Sequence, residues 1–373
     1  MLRLGAAILT LTALLLGLPL LGAILAGNSV CAYLEFPPVT RYVQHAPFSW
    51  IAFLILSLAA LLCLGILTFL FDLRRQYRHE HGTRYPLPWW GWVAVIGLLS
   101  CWMLAWTRFE WFRPLQSFTF APLWISYIVT INAMTLRRTG ACLITRQPCY
   151  LAVLFPASAM FWWYFEYLNR FVQNWYYIGV EGYTPWQYAM HATIAFSTVL
   201  PAVISTMEFL KSFPALRRTR TAIRLPWVGS RLYTRLVLVF SCFGLMGVSL
   251  WPDYLFPLIW IAPVLMLECL LGMLGQETVL SGVRQGDWYV LGLAMVGALI
   301  CGFVWELWNY YSDPKWIYSI PFVHRFEVFE MPILGYIGYL PFGLQCWVVG
   351  EQVRRLAVGH VRAIAASEGR MSV

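Results

Sequence analysis

The sequence predicts an all-α polytopic membrane protein of about ten transmembrane helices, arranged as two parallel four-helix repeats plus an N-terminal helix pair. Of its 373 residues, 60% are hydrophobic and only 12% are charged, whereas a soluble domain carries about 25% charged residues. Apolar runs of about 20 residues, the length that a hydrocarbon core of about 30 Å requires, recur along the chain. Features of the first half also return in the same order in the second half.

Ten apolar segments are long enough to be predicted as spans, and they lie near 5–26, 48–71, 89–107, 118–136, 150–167, 186–209, 232–250, 254–274, 288–306 and 331–350. We expect the first to be a retained anchor, because its apolar run is longer than that of a signal peptide and no small-x-small cleavage site follows. The predicted organisation has five parts: a helix pair with a basic loop (1–88), the first repeat (89–210), a basic linker (211–231), the second repeat (232–350) and a tail (351–373).

The distribution of basic residues predicts the orientation of the spans. With the N-terminus inside, the inner segments hold 20 of the 26 Lys and Arg residues and the outer segments hold 6. By the positive-inside rule both termini are cytoplasmic, and the predicted location is the bacterial inner membrane. This placement also explains the net charge of +9 without nucleic-acid binding. The nine cysteines fall almost entirely in apolar runs, so we expect no disulfide framework.

The internal repeat is clearest near the outer ends of two spans. The matched residues are Glu166 with Glu306, Asn169 with Asn309, and Trp175-x-Tyr177 with Trp316-x-Tyr318. A further match pairs two polar residues inside spans, Asn132 and Glu268. Both copies enter the membrane in the same direction, and parallel repeats of this kind place their sites at the junction between copies.

The duplicated residues form the predicted site. Each Glu precedes its Asn by three residues, so the two side chains share one helix face. A carboxyl group near the membrane is costly unless it is paired or hydrated, and one placed in a pocket can hold or pass a proton. The predicted catalytic residues are Glu166, Glu306 and Glu330. The predicted substrate-binding residues are Asn169, Asn309, Trp175, Tyr177, Trp316, Tyr318, His324 and Arg325.

Structural alternatives exist for each of these residues. Trp and Tyr also form belts at the membrane interface, and a Glu or Asn at a helix end can simply cap a loop. For Glu268 and its partner position Asn132, a hydrogen bond between helices and a proton or ion relay both remain open.

Other chemistries lack their motifs. The chain contains no HExxH, GxSxG or Walker sequence. Bis-histidine haem ligation needs histidine pairs inside spans, and only His191 lies in one. The sequence His79-Glu80-His81 lies in a basic loop. We therefore predict no metal and no cofactor.

One stretch has a family resemblance. The segment "WELWNYYSDPKWIY", followed by "FEMP", resembles in its ingredients the membrane carotenoid cyclases of the lycopene type, which are small duplicated proteins with acidic, Trp-rich and Pro-Glu motifs at helix ends. The resemblance covers about thirty residues in each copy. Here the Glu precedes the Pro, the reverse of the family order, and each repeat is about one span too long.

The sequence favours a membrane protein with a pocket near the outer face, lined by Glu, Asn, Trp and Tyr, that binds or transforms a lipid-like or isoprenoid substrate by acid/base chemistry. Rings and carboxylates would stabilise a cationic intermediate. One alternative is a non-catalytic subunit that docks another membrane subunit through its outer aromatic face. The other is a transporter that uses Glu268 as its coupling acid.

Overall fold

The structure is a computed structural model, and it describes residues 2–38, 40–71, 85–216 and 223–371. Helices make up most of these ranges. The loop that contains the sequence His79-Glu80-His81 lies outside the described residues.

The helices within these ranges are α1 (Leu2–Leu25), α2 (Cys31–Leu34), α3 (Trp50–Phe71), α4 (Trp89–Trp106), α5 (Phe120–Thr139), α6 (Leu143–Arg146), α7 (Pro148–Val172), α8 (Pro185–Phe196), α9 (Val199–Lys211), α10 (Arg231–Gly247), α11 (Pro252–Leu255), α12 (Leu258–Met273), α13 (Val279–Gln285), α14 (Tyr289–Asn309) and α15 (Tyr339–Met371). Three 3₁₀ helices cover Glu110–Phe118, Pro214–Leu216 and Ile333–Gly338. Four short strands are β1 (Trp175–Ile178), β2 (Lys315–Tyr318), β3 (Glu327–Val328) and β4 (Met331–Pro332).

Six segments of the described chain are long and apolar enough to cross a membrane: Trp50–Phe71, Trp89–Trp106, Pro148–Val172, Pro185–Lys211, Tyr289–Asn309 and Ile333–Ala357. They agree with six of the predicted spans and make this an integral membrane protein. The 3₁₀ helix Glu110–Phe118 and α5 would form a seventh span if they are counted together, although the chain bends by 67° between them.

Two of the remaining predicted spans are shorter in the structure. Helix α10 ends at Gly247 and α12 begins only at Leu258, whereas α1 extends over Leu2–Leu25. Prolines explain the late start of α12, because Pro252 opens the separate short helix α11 and Pro257 directly precedes α12. The figure of ten spans therefore stays a prediction.

The core lies where α9, α14 and α15 pack together. Helix α9 contacts α5, α7 and α14, and α15 contacts α7, α12 and α14. Large buried side chains such as Trp124, Phe165 and Phe342 fill the space between these helices. A side chain at Gly343 would collide with the backbone of Ala294, so this glycine permits the close approach of α14 and α15.

A two-stranded ribbon joins the two halves of the chain. Strand β1 follows α7 after a turn at Gln173, whose φ is 49°, and β2 follows α14. The strands pair antiparallel, with Trp175 opposite Tyr318 and Tyr177 opposite Trp316. Because partners across an antiparallel pair share a face and alternate residues along a strand do too, these four rings lie on one face of the ribbon.

Candidate functional site

A fully buried carboxyl group, that of Glu166, lies behind the ribbon on α7. Its Oε1 atom accepts three hydrogen bonds from aromatic side chains. Trp162 Nε1 and Trp175 Nε1 each donate at 3.0 Å, and the Tyr177 hydroxyl donates at 2.6 Å. The helix and the strand that follows it thus converge on one oxygen atom.

The carboxyl group of Glu306 has the equivalent place on α14 and is also fully buried. Its Oε1 atom accepts hydrogen bonds from the hydroxyl groups of Tyr318 at 2.7 Å and Tyr339 at 2.6 Å. Trp316 Nε1 in turn donates to the Tyr318 hydroxyl at 2.9 Å. In both Glu166 and Glu306, Oε2 is buried without a hydrogen-bond partner among the described residues. Each carboxyl therefore keeps one oxygen free to carry a proton.

The two asparagines hold the strands rather than the carboxyl groups. Asn169 Oδ1 accepts from the backbone N–H of Asn174 at 2.8 Å, and its Nδ2 donates to the carbonyl oxygen of Trp175 at 2.7 Å. Asn309 Oδ1 accepts from the backbone N–H of Trp316 at 2.9 Å, and its Nδ2 donates to the carbonyl oxygen of the same residue at 2.7 Å. Each Asn fixes the strand whose aromatic side chains are hydrogen-bonded, directly or through one another, to the Glu of the same helix.

The strand tyrosines remain hydrogen-bond donors at ordinary pH. Burial raises the pKa of Tyr177 well above its usual value, and the nearby carboxyl group of Glu166 raises it further. Burial and the carboxyl group of Glu306 raise the pKa of Tyr318 in the same way. Both phenols therefore stay protonated and keep donating to the carboxyl oxygens.

The ring face of the ribbon borders a cavity of about 620 Å³, within the range of about 300–1,000 Å³ that is usual for ligand sites. The Trp and Tyr residues that line it are Trp162, Trp175, Tyr177, Tyr183, Tyr188, Trp260, Trp305, Trp316, Tyr318 and Tyr339. Glu166 and Glu306 do not line the cavity, since their own aromatic donors stand between the carboxyl groups and the open space. A ligand would meet the rings and hydroxyl groups first.

The cavity reaches the apolar outer surface of the helices. Five of its lining residues are also 36–52% exposed, namely Leu56, Phe118, Ile125, Ile194 and Ile261. Leu56 and Ile194 lie on segments that are apolar enough to span a membrane. A molecule dissolved in the bilayer could therefore enter from the side without crossing water.

The other predicted site residues lie elsewhere. Glu330 pairs with Lys315, and of the two only Lys315 lines the cavity. His324 Nε2 lies 3.3 Å from Glu327 Oε1 at an exposed position. The Arg325 guanidinium packs over the rings of Phe48 and Trp50, at 4.9 and 5.4 Å from their centroids. The structure thus does not bring His324, Arg325 or Glu330 to the cavity wall.

Asn132 and Glu268 each hold the start of a short helix. Asn132 Oδ1 accepts from the backbone N–H of Leu143 at 3.1 Å, at the beginning of α6. Glu268 Oε2 accepts from the backbone N–H of Leu280 at 2.9 Å, in the first turn of α13. Asn132 also donates to Ser205 Oγ on α9 at 2.9 Å. These contacts favour a structural hydrogen-bonding role for both residues over a proton or ion relay.

Several cavity residues were not among the predicted catalytic and substrate-binding residues. Tyr339 is the first residue of α15 and supplies the second donor to Glu306. Tyr183, Tyr188 and His191 line the cavity on and just before α8. A usable signal was present, because Tyr188 and His191 are three residues apart and share a face of that helix.

Comparison with known proteins adds no assignment: no family model, no curated protein and no solved structure matches this chain. Among the described residues, no group of three or more His, Cys, Asp or Glu side chains could hold a metal ion.

Proposed function

We propose that this chain is a multi-pass protein of a bacterial inner membrane that binds, and by acid/base chemistry transforms, a lipid-like or isoprenoid molecule in the cavity beside the β1–β2 ribbon. The observation that carries the proposal is the ring face of that ribbon. Trp175, Tyr177, Trp316 and Tyr318 share one face, line the cavity and connect through hydrogen bonds to two buried carboxyl groups.

The proposal includes two parallel four-helix repeats that follow an N-terminal helix pair. Matched contacts support this arrangement. Glu166 and Glu306 each accept from a tyrosine of the strand that follows their own helix. Asn132 and Glu268 each accept from the backbone of the short helix that follows theirs. The cavity would then form at the junction of the repeats, where such proteins place their sites.

The walls of the cavity favour an apolar ligand with a region of positive charge or high polarisability. Faces of Trp and Tyr rings attract cations by about 0.5–2 kcal/mol each, more when water is excluded. A partial positive charge that develops on an isoprenoid chain would be stabilised by these faces and by the carboxyl groups behind them. The apolar exposed residues at the edge of the cavity provide an entry route from the bilayer.

The tyrosine hydroxyl groups are the groups best placed to exchange a proton with the ligand. Tyr177, Tyr318 and Tyr339 line the cavity and donate to a carboxyl oxygen at 2.6–2.7 Å. Glu166 and Glu306 would act through these tyrosines, as positioning residues that take up or return the proton. This differs from the direct role that the sequence suggested for the two carboxyl groups.

The test is to identify what co-purifies with the protein. Wild type and the double variant Glu166→Gln, Glu306→Gln are purified in mild detergent and analysed by mass spectrometry and absorption spectroscopy. A defined lipid or polyene in wild type, depleted in the variant, is the expected result. The same bulk phospholipids in both samples, with no defined ligand, would contradict the proposal.

A docking role is the second candidate, and exposed rings favour it. Trp111, Trp186 and Tyr254 are 71–73% exposed. A membrane subunit that packs on these rings would co-purify with the protein, and it would be lost when they are replaced by alanine. For the transporter alternative, the hydrogen bond from Leu280 accounts for Glu268 without a coupling role.

A further inference from the structure

We propose that the cavity recognises one uncharged polar end of its ligand, through Tyr183, Tyr188 and His191, and is therefore selective for an isoprenoid-type alcohol or carbonyl compound over the matching hydrocarbon or carboxylate. This inference rests on the proposed function, because it assumes that the cavity holds an isoprenoid-like molecule.

Tyr183, Tyr188 and His191 form a polar wall of the cavity. The hydroxyl oxygens of Tyr183 and Tyr188 are buried and have no hydrogen-bond partner among the described residues. The His191 ring lies between two aromatic rings, with centroids 4.5 Å from Phe118 and 5.0 Å from Tyr183. All three polar residues line the cavity. A buried polar group without a partner costs about 1–3 kcal/mol, so a ligand that satisfies these groups gains selectivity.

The positions that match these three residues in the other half of the chain are apolar. Positions 140 residues after Tyr183, Tyr188 and His191 are Val323, Val328 and Met331. Val323 and Met331 also line the cavity and pack together with Ile320. At these matched positions, one side of the cavity therefore carries polar side chains and the other carries apolar ones. A ligand with one polar end and one apolar end fits both sides.

The charges on the cavity walls favour an uncharged polar end of the ligand. Of the described residues that line the cavity, Lys315 alone is a lysine or arginine. Its ammonium group is paired with Glu330 and also donates to the carbonyl oxygen of Tyr310. A phosphate or carboxylate would find no unpaired lysine or arginine on these walls, and its burial would be unfavourable. An uncharged hydroxyl or carbonyl group matches the available donors and acceptors.

The experiment compares three probes that share one chain: retinol, its hydrocarbon analogue that lacks the hydroxyl group, and retinoic acid. The protein is held in lipid nanodiscs, and binding is followed by energy transfer from the tryptophans around the cavity to the polyene. Wild type should bind retinol about tenfold more tightly than either of the other probes, the ratio expected for one net hydrogen bond.

The variant Tyr183→Phe, Tyr188→Phe, His191→Phe should lose that preference and keep the affinity for the hydrocarbon. Tyr188→Phe alone, which is the milder change, should lower the preference in part. Met331→Leu on the apolar wall is the matched control and should keep the full preference. Retention of the hydrocarbon affinity also shows that each variant is folded.

The outcomes separate this inference from the proposed function. If wild type binds retinol and the hydrocarbon equally, or if the triple variant keeps the preference for retinol, the polar wall is not a recognition site although the cavity still binds isoprenoids. Tighter binding of retinoic acid than of retinol would contradict the proposal that the recognised polar end is uncharged. If no probe binds to wild type, the proposed function fails and this inference fails with it.

Discussion

At the scale of single residues, Asn169 and Asn309 each use both the oxygen and the nitrogen of the side-chain amide to hold a strand. Only an amide offers an acceptor and a donor at this spacing. The backbone groups of Asn174 and Trp175 that Asn169 satisfies belong to buried residues. The two Asn side chains thus hold the strands that form part of the cavity wall. Neither Asn lines the cavity itself.

Replacing Asn169 by Ala should lower the free energy of unfolding by about 2–6 kcal/mol, since two buried backbone groups lose their partner at about 1–3 kcal/mol each. Denaturation in mixed detergent micelles, followed by circular dichroism, measures the change. Asn28→Ala is the control, because Asn28 is exposed, and it should change the value by less than about 0.5 kcal/mol. Equal effects of the two substitutions would show that the strand contact of Asn169 is unimportant.

Glu268 is expected to tolerate an amide. Its Oε2 atom accepts from a backbone N–H in α13, and Asn132 does the same for α6 with an amide oxygen. Glu268→Gln should therefore change stability by less than about 0.5 kcal/mol, whereas Glu268→Ala should cost about 1–2 kcal/mol, as the loss of a helix cap does. The same denaturation experiment measures both. A Gln variant that folds normally but no longer supports proton-coupled uptake into proteoliposomes would favour the transporter alternative.

At the scale of secondary-structure elements, the β1–β2 ribbon is the feature that connects the two halves of the site. The spacing of Glu166 and Asn169 allowed the sequence to place these two residues on one helix face, because i and i+3 share a face. It could not show that the segment after each helix forms a strand, or that the two strands pair with each other. That pairing joins residues about 140 positions apart, and no local pattern encodes such a contact.

The register of the β1–β2 ribbon predicts which pairs of engineered cysteines form a disulfide. Tyr176 and Ile317 are opposite each other on the face away from the four rings, and directly opposed residues have Cβ atoms about 4.5–5.5 Å apart. Tyr176→Cys with Ile317→Cys should form a disulfide under mild oxidation, detected by mass spectrometry of the digested protein. Ile178→Cys with Ile317→Cys is diagonal, at about 7–8 Å, and should form little. More crosslinking in the diagonal pair would show that the register is different.

The loop after β2 determines where two of the predicted site residues lie. His324 and Arg325 follow β2 closely, but the turns around Phe322 and Phe326, whose φ values are 62° and 55°, direct this loop to exposed positions. Positive φ at phenylalanine is uncommon, so no sequence signal indicated these turns. The predicted residues of the ribbon lie on the cavity wall, whereas those of the following loop do not.

At the scale of the whole molecule, the cavity lies among elements from both halves of the chain and reaches the apolar outer surface of the helices. The composition predicted the membrane class correctly, because a chain that is 60% hydrophobic needs an apolar solvent. The number of spans was harder to predict, since prolines shorten or bend apolar segments that look continuous in sequence.

The most direct test of the central claim is photolabelling of the cavity. A geranylgeraniol that carries a diazirine is added to the protein in nanodiscs and activated by light, and the labelled residues are identified by mass spectrometry. We expect labels in β1, β2 and α8, which decrease when unlabelled geranylgeraniol is in excess. Labels confined to the exposed side of α3 and unaffected by the competitor would show that the probe contacts the protein only as a bilayer lipid does, and would contradict the account.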